Sequence, residues 1–596
     1  MEYKSRNDVP NEYKWDLSKM YESDSKIEKD IEEVKKLTEE ILKYKSHILD
    51  SSNTLYEFLK LTEKQDRILE KLYVYSKMCL DVDTKNNKSK ALKMKIEKLY
   101  EGLNEEFSFI EPEMMDIDYS IIKEYIEENN KLGEYKFYLE NFYRYKSHSL
   151  SKIEEEIYVK AQNAFGNCSE AFTNINNADI NLGYIKDEDG NSVKLTSSNY
   201  NVYMKSKNRE VRKNAFESMY SYYKSLKNTL SAIYVGEIKE SAFSTNVKKY
   251  NSTIERSLFN DNIDVSVYKT LIETIHSKIG LMYDYMKVRK KMLNLDELHM
   301  YDIYVDLVDS NESKVPFEKG KEILFEALKP LGEKYLKDLN NAFDEKWIDI
   351  YPNDGKRSGA YSWGCYDSYP YLLLNYNDTV DAVSTMGHEL GHSMHSYYSK
   401  SQNYVDSSYP IFLAEIASTV NEVLINDYLY KNAKTKEDKI FYLTDFLDTV
   451  RTTIYRQTMF AEFEMIMHKK EQDGIPLTEE EISNTYYDLN KLYYGDNVIS
   501  DDDIRYEWSL IPHFYTPFYV YKYATGLSAA LSIASRILEG DEKTKQNYLQ
   551  FLSSGGNNYP LEILKKVDVD MTTSRPIEEA LSMFEDKLNE LKELIK

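Results

Sequence analysis

Residues 381–397 read DAVSTMGHELGHSMHSY, and the five at the centre, His388-Glu389-Leu390-Gly391-His392, decide how the rest of the chain is read. On a helix, His388 and His392 stand one turn apart on one face, about 40° offset. Two imidazoles at that spacing can reach one tetrahedral Zn2+ at about 2.0–2.1 Å. Glu389, beside the first of them, is placed to take the proton of a water activated there. Thr379 or Asp378 can cap the helix start, and Val383, Met386, Leu390 and Met394 give it an apolar side to bury.

A pair of histidines needs a further ligand. Position 398 is Tyr, which removes a third histidine ten residues after the first. His395 shares the helix face but lies about 10.5 Å along the axis from His388, too far to join it on one ion. It reads as packing or support. The next helical segment, IFLAEIASTVNEVLI at 411–425, carries Glu415 among apolar residues, where a carboxylate needs a partner or a metal. Glu422, seven residues on and on the same face, can accept from a ligand imidazole and fix its tautomer. Two His, one Glu and an open fourth position make a hydrolytic site, whereas a structural zinc uses four closed ligands.

The 596 residues carry a net charge of −24, so nucleic acid and anionic membranes are discounted as partners. Cys79, Cys168 and Cys365 form neither a CxxC pair nor a disulfide framework, and they read as thiols of a reducing compartment. With no apolar signal core near Met1 and no run of about 18 apolar residues, the expected location is cytoplasmic.

Apolar residues at three- and four-residue steps predict helices over 26–49, 55–80 and 88–109, after a polar, extended lead-in at 1–15. Shorter helices are expected at 120–130 and 136–144. One capped by Ser149 or Ser151 runs to about Ile175. Others run from Asn208 to about Ala242 and from Asp264 to Leu293. Asp189-Gly190 between two alternating runs predicts a β-hairpin. Gly355–Tyr361 fits a mobile loop, and Tyr371–Tyr376 fits a strand able to offer its edge to an extended peptide.

A second dense cluster, WSLIPHFYTPFYVYKYATG at 508–526, crowds His513 with Tyr515, Tyr519, Tyr521 and Tyr523. Such N–H and O–H donors can stabilise the oxyanion formed when water attacks an amide. Together the motifs resemble the M3 peptidase family, closely its oligoendopeptidase F branch. The resemblance rests on residues 359–396, on FLAEIASTVNE at 412–422, on YRQTMFAEFE at 455–464, on YYG at 493–495 and on IPHFYTPFYVYKYATG at 511–526. Weaker echoes run from WDLS at 15–18 through YDIY at 301–304 to LSSGGNNYPLEILKK at 552–566. One departure is Val567-Asp568, where relatives tend to carry a small residue and Gly.

The resemblance implies a mainly α fold of two lobes around a deep central channel, with a small β-sheet beside the zinc. It implies a helical segment at 1–112, an oligopeptidase F N-terminal-type region at 113–200 that ends in the hairpin, and a catalytic region at 201–596. It implies one Zn2+ per chain on His388, His392 and Glu415, with Glu389 as general base. His513 and Tyr519 match the transition-state donors, and Tyr523 is the next choice. The implied activity is hydrolysis of internal bonds in short unfolded peptides. Two alternatives stand beside it. A metallocarboxypeptidase on a similar scaffold would use Arg357 or Arg505 for the free C-terminus, and a metal-free peptide-binding protein would use none of these groups chemically.

Overall fold

A computed structural model describes residues 3–162, 165–308 and 314–596. The chain is mainly helical, and its strands are short. It divides into two compact units, each assembled from three stretches of sequence.

The first unit comprises Met1–Ser147, Glu312–Tyr428 and Ile533–Asp568. Its opening helices run Asp24–Ile41, Ser52–Asp81 and Asn87–Glu106. The first buries Ile27, Ile31, Val34, Leu37 and Ile41, the stripe expected from their spacing. Ser51 and Asn86 cap the next two, accepting from backbone N–H groups that the first turn leaves unpaired.

The lead-in is not a loose extended arm. Tyr3 bridges Asn353, the Ile350 N–H donates to the Tyr13 carbonyl at 3.0 Å, and the Asp16 N–H donates to the Lys346 carbonyl at 2.9 Å. Val9 and Trp15 are buried. These bonds cover the outer edge of the strand Ile348–Asp349, whose backbone groups need partners. Arg6 grips the Asp349 carboxylate with Nη1 and Nη2 of its guanidinium, and the fully buried Lys356 side chain meets the same carboxylate at 2.8 Å. Arg6→Ala leaves Asp349 with one cation and unfastens the strap. The expected loss is about 1.5–3 kcal/mol, read as a lower denaturation midpoint with earlier proteolysis before Asp24.

The sheet that receives the strap has the order Ile348–Asp349, Tyr371–Leu373, Tyr361–Trp363. The first pair is parallel and the second antiparallel, with Ser362 opposite Leu372. This corrects the expectation for 371–376. Tyr371, Leu372 and Leu373 have no exposed surface and form the central strand, so both edges are already paired. A near-continuous apolar run is the mark of a strand covered on both faces. The outer strand is Tyr361–Trp363. Nor is the glycine-bearing stretch before it loose. The Gly355 carbonyl accepts from the Thr84 N–H, the Arg357 N–H donates to the Asp81 carbonyl, and the Lys356 side chain is buried.

At the end of this unit Asp568 has φ +59°, a left-handed conformation that favours glycine. That explains in backbone terms the glycine expected at this departure from the family pattern.

The second unit comprises His148–Asn311, Leu429–Ser532 and Val569–Lys596. Its hairpin pairs Tyr184–Lys186 with Ser192–Lys194, and Gly190 turns at φ +80°. The helix expected from Ser149 to Ile175 is two, Lys152–Gln162 and Asn167–Asn177, with Gly166 at φ +82° between them. Asn163 and Ala164 of that expectation lie outside the described residues. The long segments at 208–242 and 264–293 are also helix pairs, broken near Leu226 and near Lys278–Ile279.

Candidate metal centre

The helix Val380–Ser399 starts where Thr379 Oγ1 accepts from the Ala382 N–H at 3.1 Å. Val383, Met386, Leu390 and Met394 are fully buried, which turns His388 and His392 to the half-buried face. The helix Ile411–Asn432 lies against it. The two approach so closely that a Cβ on Gly391 would stand 2.5 Å from the Ser418 Cα. Asn421 ties them further, donating to the Gly387 carbonyl at 2.9 Å while accepting from the Tyr335 hydroxyl at 3.3 Å.

This packing brings His388, His392 and Glu415 together. The two Nε2 atoms are 3.2 Å apart, and Glu415 Oε2 is 3.6 Å from His388 Nε2 and 3.5 Å from His392 Nε2. Among the described residues, this is the one group of three His, Cys, Asp or Glu side chains whose ligand atoms all lie within 4.8 Å of one another. Three atoms each about 2.05 Å from an ion, at tetrahedral angles, stand about 3.3–3.4 Å apart. The observed triangle has that size.

The donor set also asks for a cation. Glu422 Oε1 is 3.0 Å from His388 Nδ1 and can only accept there, so the neutral imidazole carries its proton on Nδ1 and leaves Nε2 bare. Bare Nε2 then faces a second imidazole nitrogen and a carboxylate oxygen. Burial disfavours a charged His388, but Glu422, Glu389 and Glu415 outweigh it and raise its pKa. Hydrogen bonding and charge from the imidazoles hold Glu415 below the ordinary carboxylate range. The residues therefore fit a divalent ion.

Glu389 lies beside the triangle and is not one of its three members. It is 8% exposed, and burial raises its carboxyl, with Glu415 adding to the effect. The charge of His388 and His392 and the nearby Ser362 backbone amide oppose that rise, and Ser362 Oγ meets Ser393 Oγ at 2.7 Å, pinning the outer strand to the histidine helix. His395 is packing: its ring stacks on Tyr409 at 3.6 Å, and neither ring nitrogen has a partner among the described residues. Burial pushes its pKa down to about 3.

In the second unit, His513, Tyr519 and Tyr523 form a cluster. His513 Nε2 is 3.3 Å from the Tyr523 hydroxyl, and the His513 and Tyr519 rings lie nearly parallel at 6.1 Å. Burial, then the charge of Arg456, lowers the His513 pKa and favours neutral imidazole. The other two tyrosines of the crowd pack, Tyr515 on Phe172 and Tyr521 beside Tyr268. Neither cation considered for a free C-terminus stands alone. Arg357 faces Asp81 at 3.5 Å and Arg505 meets Asp502 at 2.6 Å.

The motif reading missed Gly387, Gly391, Asn421 and Ser362. Glycines inside a helix pattern carry a cost that packing must justify, so Gly387 and Gly391 held a usable signal. Asn421, a polar residue in an apolar run, held another.

Residues 202–583 match the model of peptidase family M3, and residues 113–181 match that of oligopeptidase F. The chain is 42% identical over 591 residues to the oligopeptidase PepF of Bacillus subtilis (strain 168), covering 99% of this chain and 88% of that protein. It is 38% identical to the group B oligopeptidase PepB of Streptococcus agalactiae serotype III (strain NEM316), covering 99% and 98%. The crystal structure of oligoendopeptidase-F from Enterococcus faecium superposes with a TM-score of 0.74 at 34% identity, covering 96% of this chain and 99% of that one. The chain belongs to peptidase family M3, in its oligoendopeptidase F branch, and is a metalloendopeptidase.

Proposed function

We propose that the protein is a zinc-dependent oligoendopeptidase, one Zn2+ per chain, that hydrolyses internal bonds of short unfolded peptides with Glu389 as general base. The triangle of His388, His392 and Glu415, sized for a tetrahedral ion, carries this reading. The bound ion supplies Lewis acidity, lowering the pKa of a water and polarising a carbonyl. Glu422 holds the His388 tautomer. Glu389 takes the proton of the attacking water and then passes it to the leaving amine nitrogen. A raised pKa suits a group that must both accept and return a proton. His513 N–H and Tyr519 O–H, with Tyr523 the next donor, are assigned to the carbonyl oxygen as charge develops; the motif at 511–526 supports that assignment. An extended peptide adds to the outer strand Tyr361–Trp363, which Ser362 ties to the histidine helix through Ser393.

The proposed organisation is a helical segment at 1–112, a second region at 113–200 and a catalytic region at 201–596. Three free cysteines and a net charge of −24 support a cytoplasmic place. No helix among the described residues is long and apolar enough to cross a membrane.

Digestion of a mixed library of end-blocked peptides, read by mass spectrometry, tests this. Internal cleavage is expected, lost with a chelator and restored best by Zn2+. Release of single C-terminal residues, and only from unblocked peptides, would overturn it in favour of a carboxypeptidase.

A further inference from the structure

Glu464 lies on the helix Arg456–Gln472 and has no exposed surface. Its Oε1 accepts from the Phe518 N–H at 2.8 Å, and its Oε2 has no partner among the described residues. Burial pushes this carboxyl up to about 8, against the opposing pull of the Phe518 amide, so near neutral pH it is an uncharged acid. A buried carboxyl group is costly to keep, and the hydrogen bond this one makes goes to a backbone amide.

That amide belongs to a strained residue. Phe518 has φ +58°, left-handed backbone that a phenylalanine rarely adopts. Its ring is held edge-on to Tyr268 at 5.6 Å and against His468 at 4.9 Å. The next residue is Tyr519, whose ring lies parallel to that of His513 and 5.5 Å from that of Tyr523. The turn at 518 sets the direction in which the Tyr519 side chain leaves the backbone.

We propose that Glu464 is a positioning residue for peptide hydrolysis: by holding the Phe518 amide it keeps the left-handed turn that orients Tyr519 within the His513 and Tyr523 cluster. This rests on the assignment of Tyr519 as a donor to the substrate oxygen. Phe518 alone has two opposing demands, a ring that packs and a backbone that resists its own conformation. The Glu464 hydrogen bond tips that balance towards the strained form. The acid need not be ionised to do so, because the carbonyl oxygen of a neutral carboxyl also accepts a hydrogen bond.

The test compares Glu464→Gln, Glu464→Leu and Glu464→Asp in the metal-loaded enzyme. Gln keeps an acceptor in place, Leu removes it, and Asp retains the carboxyl but is too short to reach. Leu and Asp are expected to lower kcat roughly 10- to 100-fold with KM changed less than about twofold, and Gln to stay within about threefold of wild type. If the Leu variant does not fold, the Asp variant carries the comparison. The losses from Glu464→Asp and Tyr519→Phe are expected not to multiply, the double variant being no slower than the worse single one. Multiplying losses, or a Gln variant as slow as Asp, would overturn the proposal. A fluorotyrosine at 519, followed by 19F NMR, separates this from failure of the donor assignment. If Tyr519→Phe is fully active, the donor role fails. A 519 resonance unmoved by Glu464→Asp sinks the positioning role whatever the activity.

Discussion

Glu389→Gln is expected to lower turnover by roughly 10²–10⁴-fold while leaving metal content and melting temperature where they are. Gln has the size of Glu, and the contact of Ser362 Oγ with Ser393 Oγ at 2.7 Å is untouched, so the strand and the helix stay joined. The three atoms that would hold the ion belong to His388, His392 and Glu415, and the substitution touches none of them. What Gln cannot do is take a proton. Burial raises the Glu389 carboxyl towards the range useful for a group that accepts from water and returns to an amine. Metal analysis, a melting curve and kcat on an internally quenched peptide check the three parts together. Retained turnover in a preparation free of wild-type enzyme would remove Glu389 from the chemistry. Glu415→Gln should behave oppositely and lose metal along with activity, because an amide oxygen is a poorer ligand than a carboxylate.

Short-range patterns made most of the helical framework legible. The period of Ile27, Ile31, Val34 and Leu37 names a buried stripe without knowledge of what covers it. The HExxH spacing names a helix face, and Glu415 in an apolar run advertises a buried charge in need of a partner. Long-range pairing was not legible. Nothing local to Arg6 or Tyr13 announces that they close the edge of a strand more than 330 residues away. The run at 371–376 misled for a related reason. Apolar density signals a strand, but whether its edges are open depends on which other segments arrive beside it. Phe518 shows the limit most clearly. A left-handed phenylalanine has no sequence signature, and the carboxyl that holds it lies 54 positions earlier.

Gly391→Ala is expected to strip the metal from the protein while leaving most of the helical framework in place. A Cβ built on Gly391 meets the Ser418 Cα at 2.5 Å, the Ala417 carbonyl oxygen at 2.7 Å and the Ser418 N at 2.8 Å. Ordinary contact begins near 3.4 Å, so the helices must part by about 0.9 Å. All three atoms are backbone, and no rotamer change relieves them. Gly391 precedes His392, and Ser418 lies one turn after Glu415, so the movement falls on the 3.5 Å side of the ligand triangle. Metal sites tolerate displacements of only about 0.2 Å. Affinity should fall by at least roughly 10–100-fold, and overpacking should cost about 1–3 kcal/mol in stability. Two other glycines calibrate the result. At Gly387 the nearest obstacle is the Ile425 Cδ1 at 2.1 Å, the tip of a side chain that can rotate, so Gly387→Ala should be milder. Gly102 has nothing within 4 Å, and Gly102→Ala on its exposed helix should stabilise by about 0.5–1 kcal/mol. Metal content and melting temperature should therefore rank Gly391→Ala lowest, then Gly387→Ala, then Gly102→Ala. A Gly391→Ala protein with full metal content would mean that the two helices can slide without moving the ligands. The close approach of their backbones would then not be what sets the width of the site.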